Sequence, residues 1–336
     1  LQVVDSPNLV RLEAPSLKDI DGGFTLKRLT SLVLVSFPSI SSIQRIEWGV
    51  LPILSTVHFP KNIEGLGHVV VSDTSLSNIF GFTAKSLQKL DINNNRFLET
   101  IDSNVEKVKG LVHIAGNSDS IVVKLNSLVE AKNISILDVS SLSLKSLEKV
   151  ENSLSFIHNN FKQLRLPSLS SVGGSLSLAS NKELKSVEFP TIDDIGGGLV
   201  IVNNTHVDKI NFLPNLATIG GALEIVGDVK DITLNQLKLV RGSAKIKAFA
   251  PQFDCSRWTK SAVGSIIHGG RIECVNFKSE SIVKEVSNGS SSDENAMDYD
   301  VETNPSVKWE SKASIFGIFQ SIQFISMLLI SYSCLF

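Results

Sequence analysis

One stretch, residues 166–228, limits what this chain can fold into. It reads LPSLSSVGGSLSLASNKELKSVEFPTIDDIGGGLVIVNNTHVDKINFLPNLATIGGALEIVGD. Three near-copies of one unit stand in a row, marked by Pro167, Pro190 and Pro214 and by the pairs Gly173-Gly174, Gly196-Gly197 and Gly220-Gly221. A fixed period in the low twenties signals a solenoid, in which each repeat stacks on the last.

The unit is L-x-L-x-x-N-x-x-L-x-x-L-x-L-P-x-L-x-x-I-G-G. Leu176, Leu178 and Asn181 fill its first slots, then Leu199, Ile201 and Asn204, then Leu223, Ile225 and Asp228. Period-two alternation predicts a strand with Leu176 and Leu178 inward and Ser177 outward. Such a short strand needs the equivalent strands of neighbouring coils as parallel partners. The Asn slot (Asn95, Asn117, Asn159, Asn181, Asn204 and Asp228) reads as a ladder of turn stabilisers that tolerate left-handed geometry. The glycine pair serves positive φ or close backbone approach. The proline sits at a strand end, where its missing N–H does little harm.

The phase runs through the chain. Leu1-Val3-Ser6 fits the slots, so the chain opens inside a repeat and N-terminal sequence is expected to be missing. Phe24-Leu26-Leu29, Trp48-Val50-Ile53 and Val69-Val71-Thr74 follow, the last two without the Asn. Next come Leu90-Ile92-Asn95, Val112-Ile114-Asn117, Ile134-Ile136-Val139 and Leu154-Phe156-Asn159. Ala244-Ile246-Phe249 looks like the last turn, giving about a dozen coils over 1–249. Aromatics are 7% of residues, so the core is expected to be aliphatic.

Residues 250–277 break the pattern and read as a C-terminal cap. Ser256 can cap a short helix through Ile267, and 271–275 returns as a strand. Cys255 and Cys274 read as a disulfide rather than a metal site, which would need more ligands. Residues 278–312 are rich in Ser, Asn, Asp and Glu and read as a disordered stalk. Residues 313–336 close the chain with an uncharged apolar run from Ile315. No Lys or Arg follows it, so a removed GPI-attachment signal is favoured over a membrane span. Asn295 and Asn304 are the candidate attachment residues, with Ser306 and Ser311 as further options. Sequons at Asn133, Asn203 and Asn288 fit secretion, and Asn203 is expected to face outward.

A net charge of −2 gives no reason to expect nucleic acid. There is no P-loop, H-E-x-x-H or G-x-S-x-G, and no cofactor is expected. His113 and His158 are expected between the apolar slots, facing solvent. Asp193-Asp194 reads as a solvated turn.

The repeat resembles the receptor L domain, the leucine-rich-repeat-like β-helix of growth-factor receptor ectodomains. With FDCS at Cys255, IEC at Cys274, the Ser-rich stalk and the apolar tail, nearly the whole chain resembles the fungal GPI-anchored cell-wall glycoproteins of the sporulation-specific family. That resemblance implies an all-β fold: a right-handed parallel β-helix with a small C-terminal cap. It implies a non-enzymatic surface glycoprotein in cell-wall or spore-wall organisation. Expected partners are wall polysaccharide or wall proteins, and the membrane through a GPI lipid. The alternatives are a receptor-like ectodomain and a polysaccharide-modifying enzyme, since fold alone licenses no activity.

Overall fold

Period-two alternation becomes strand in every clear repeat, and the two apolar slots face inward. Leu176–Ala179 pairs in parallel with Leu154–Ile157 on one side and Leu199–Val202 on the other. The register sets Leu154 beside Leu176, Leu176 beside Leu199, and Leu199 beside Leu223. All four are fully buried. This computed structural model describes residues 1–60, 63, 65–79, 84–259, 265–276 and 281–285. Leu1–Asn288 forms one compact unit, a nearly all-β solenoid of about 11 turns.

Each coil carries up to three strands. The principal sheet runs from Gln2–Val4 through the alternating segments to Ala244–Ala248 and Arg271–Val275. A second column contains Lys149–Val150, Ser171–Val172, Asp194–Ile195, Thr218–Ile219 and Leu239–Val240. A third contains pairs such as Gln163–Arg165 with Ser186–Glu188. In earlier coils the second and principal strands are one: Lys107–Ala115 passes the corner through a register shift between Val108 and Leu111.

Glycine permits the close approach of successive coils at this corner. A Cβ on Gly173, Gly196 or Gly220 would lie 2.1–2.2 Å from a carbonyl oxygen of the adjacent coil. None of these three has positive φ. Of the two roles open to the pair, close backbone approach applies here. Left-handed geometry belongs to a different corner, just after the principal strand. Asn94, Asp138, His158, Ser180 and Asn203 all have φ between 55° and 57°. The strained residue therefore precedes the buried Asn slot instead of filling it. Each non-glycine there costs about 1 kcal/mol, and the register of the coil requires it.

The core is aliphatic over most of its length, with one departure from expectation. Phe24 stacks on Phe37 at 5.1 Å and meets Trp48 edge-on at 5.5 Å, so aromatic rings fill the N-terminal coils. The inward slots of that third coil are Ile46 and Trp48, both buried, while Val50 is an exposed left-handed corner. This corrects the Trp48-Val50-Ile53 phase: Ile53 is also exposed.

At the far end the described helix is only Ser256–Thr259. Asp254 caps it, accepting the Ser256 N–H at 2.8 Å. Ile267 is not helical; it bridges in parallel to Val240. Cys274 occupies an inward slot beside Ile246, and Cys255 is bonded to it with a Cα separation of 5.7 Å. Ser281–Glu285 then pairs antiparallel with Arg271–Val275 and covers that sheet edge.

Candidate functional site

The inward Asn column holds the coils together. Asn181 Nδ2 donates to the Phe156 carbonyl at 3.0 Å and to Asn204 Oδ1 at 3.0 Å. Asn181 Oδ1 accepts both the backbone N–H and the amide of Asn159, each at 3.0 Å. Asn204 bonds the Leu178 carbonyl at 2.9 Å. Upstream, Thr74 donates to Asn95 Oδ1, and Asn95 donates to Asn117 Oδ1. All five asparagines are buried. Val139 interrupts the column and offers only its N–H, to Asn159 Oδ1.

Asp228 does not join. It is exposed, and Val229 is buried instead. Eight positions separate Val202 from Ile210, but only six separate their partners Val226 and Ile232. The shortened corner deletes the inward slot, and a carboxylate there would lose its hydration. Phe249 is exposed one coil later.

Outward groups supply the chemistry available to a partner. On most of the surface they are charged and paired between neighbouring coils, as in Arg165–Glu188 at 2.6 Å and Lys230–Asp208 at 2.8 Å. The principal face begins this way, with Lys27–Glu47 at 3.6 Å, and continues with Lys89–Asp91 at 3.0 Å within one strand. It ends this way too, with Lys245–Glu224 at 2.9 Å.

Between those ends, past the corner, five successive rungs (111–115, 133–137, 153–157, 175–179 and 198–202) carry no Lys, Arg, Asp or Glu. Ser135, Ser155, Ser177 and Val200 stack outward between the apolar slots. In the column beside them Leu137 and Ile157 are partly exposed, while Ala179 and Val202 are buried. From Ile134 to Val202 the pairing has no register shift. His113 begins this run and is partly buried; burial pushes its imidazole pKa down, favouring the neutral ring. His158 is not between the slots but at the exposed left-handed corner, with φ 55°.

The remaining candidates are dispersed. Asn203 is exposed at a corner, while Asn133 faces outward on the charge-free face and accepts the Ser153 N–H at 3.4 Å. Asp193 is exposed, and Asp194 lies in the strand Asp194–Ile195 rather than a turn. Lys107 hydrogen-bonds Glu130 and holds its carboxyl below the usual carboxylate range. A general acid needs the opposite shift. Among the described residues, no group of three or more His, Cys, Asp or Glu could hold a metal ion. No helix among them is long and apolar enough to cross a membrane. Asn288, Asn295, Asn304, Ser306, Ser311 and the terminal apolar run lie outside the described residues.

These features define a class: a parallel β-solenoid, stitched by buried asparagines and tied at one end by a disulfide. The chain is 41% identical over 283 residues to sporulation-specific protein 22 of Saccharomyces cerevisiae, covering 83% of this chain and 61% of that one. It is 35% identical over 285 residues to cell wall mannoprotein PST1 of the same species, covering 84% and 64%. It is 32% identical over 276 residues to the cell surface GPI-anchored protein ECM33 of Candida albicans, covering 82% and 67%. The chain belongs to this fungal family of sporulation-specific, cell-wall and cell-surface proteins. The family sits at the cell surface and in the cell wall. The chain spans 61% and 55% of the lengths of the two sporulation-specific relatives. No family model and no solved structure matches it.

Proposed function

We propose that this chain is a non-enzymatic, GPI-anchored glycoprotein that organises the fungal cell wall or spore wall as a rigid scaffold. The observation that carries this reading is the kinship with cell-wall and sporulation-specific proteins over four-fifths of the chain. A stack of short coils suits the role, because it presents long flat faces without needing a deep pocket. The tail after the polar stalk is the anchor signal, with Asn295 or Asn304 as the attachment residue. Asn203 and Asn288 are the glycan acceptors; the third sequon, Asn133, is half-buried on a sheet face and is the less accessible of the two described.

Localisation before and after phospholipase treatment tests the anchor. Release by the lipase identifies a membrane tether, and retention identifies covalent wall linkage. Wall staining of a deletion strain tests the role. Defective vegetative or spore walls are expected; normal walls in both would reject the scaffold function.

A further inference from the structure

The charge-free part of the principal face has a chemistry unlike the rest of the coil surface. It spans five rungs, about 19 Å along the stack and about 13 Å along the strands. Its outward groups are serine hydroxyls and aliphatic side chains, with the His113 imidazole and the Asn133 carboxamide on the first two rungs. Elsewhere, neighbouring coils exchange ion pairs across the same distances.

We infer that this face is a docking surface for a neutral extended polysaccharide, resting on the wall-scaffold reading above. A charged polymer has no counter-charge to meet there. Ser135, Ser155 and Ser177 repeat a donor and acceptor once per rung, which matches a polymer that repeats hydroxyls along its length. Leu137, Ile157 and Val200, all partly exposed, supply the apolar surface that the C–H groups of a sugar cover. A stable protein partner needs about 800 Å² on each side, several times this area. It also favours aromatic or arginine anchors, and none faces outward on these five rungs, Phe156 being buried. Weak contacts suffice when the chain is tethered, because effective concentration makes up for affinity.

Asn133 lies on the second of these rungs, so a glycan there would cover the surface. The test therefore uses the full chain in mild detergent with Asn133→Gln, sedimented with insoluble neutral β-glucan, mannan or chitin particles. The Ser155→Lys/Ser177→Lys variant places two cations on the face. The control, Ser141→Lys/Ser186→Lys, places them on the third column of strands. The single Ser177→Lys replaces the double variant if that one fails to fold. The bound fraction is expected to fall at least tenfold for the face variant and to match the parent for the control. Equal binding by face and control variants, or binding to none of the three polymers, would overturn the assignment. Self-association of the parent that the face variant abolishes would instead make a second copy the occupant. Should polymer binding fail while the chain still localises to the wall, only this surface assignment falls. Absence of the chain from the wall would reject the scaffold reading itself.

Discussion

Asn181 stands between two other carboxamides, so its loss is felt on both sides. Asn181→Ala leaves the Asn159 N–H and amide without their acceptor and the Phe156 carbonyl without its donor. Buried groups stranded in this way cost about 3 kcal/mol in total. Asn203→Ala, next to the equivalent ladder position but exposed, should cost about 1 kcal/mol or less. Denaturant midpoints separate the two. The histidine at the head of the charge-free face makes a pH prediction. Burial lowers the His113 pKa in the folded chain, so the unfolded chain binds the proton more readily. Stability therefore falls as pH drops through the unfolded value of about 6.5. His113→Gln should reduce the slope of the stability profile between about pH 7 and 5, read by melting temperature against pH, leaving the share of His68, whose pKa burial also lowers. The Asn slots at 95, 117, 159, 181 and 204 were legible because spacing alone puts them inward. The left-handed corner was not, because Asp138, His158, Ser180 and Asn203 share a backbone angle but no side-chain chemistry.

The coil corner and the cap are where element-scale energetics concentrate. Gly196→Ala would push a methyl to 2.2 Å from the Gly173 carbonyl oxygen, so neighbouring coils must separate. Gly23→Ala meets nothing nearer than 3.9 Å. The first variant should be destabilised by more than about 3 kcal/mol and the second by less than about 1, measured by equilibrium unfolding. Both glycines belong to look-alike pairs in the sequence. What distinguishes them is the path of the preceding coil, which no local pattern records. The disulfide closes a separation of 19 residues, and its reduction should cost about 3 kcal/mol. Hydrogen exchange should then rise first at Ala244–Ala248, which abuts the cap strand, and last at Leu176–Ala179. The cysteine pair was readable from the sequence. The extent of the helix was not, because Ile267 belongs by its pairing to the strand column of Val240.

At the scale of the whole molecule, a stack of near-identical coils makes stability a sum over neighbours. The exposed ion pairs between coils add little each, so buried aliphatic columns and the asparagine ladder carry the fold. Both were visible as repetition, which is why architecture was the most legible property of the chain. The charge-free face was harder to find. Its residues are ordinary serines, valines and leucines scattered between 111 and 202. Only parallel stacking gathers them on one surface. The most direct test of that stacking is oxidative cross-linking of paired cysteines in the full chain. Ser155 and Ser177 are register partners on adjacent rungs, and Val200 is the partner of Ser177 one rung further. Ser155→Cys with Ser177→Cys should form an intramolecular bond rapidly, while Ser155→Cys with Val200→Cys should not. Equal yields from the two pairs, or none from the first, would contradict the coiled architecture on which the account rests.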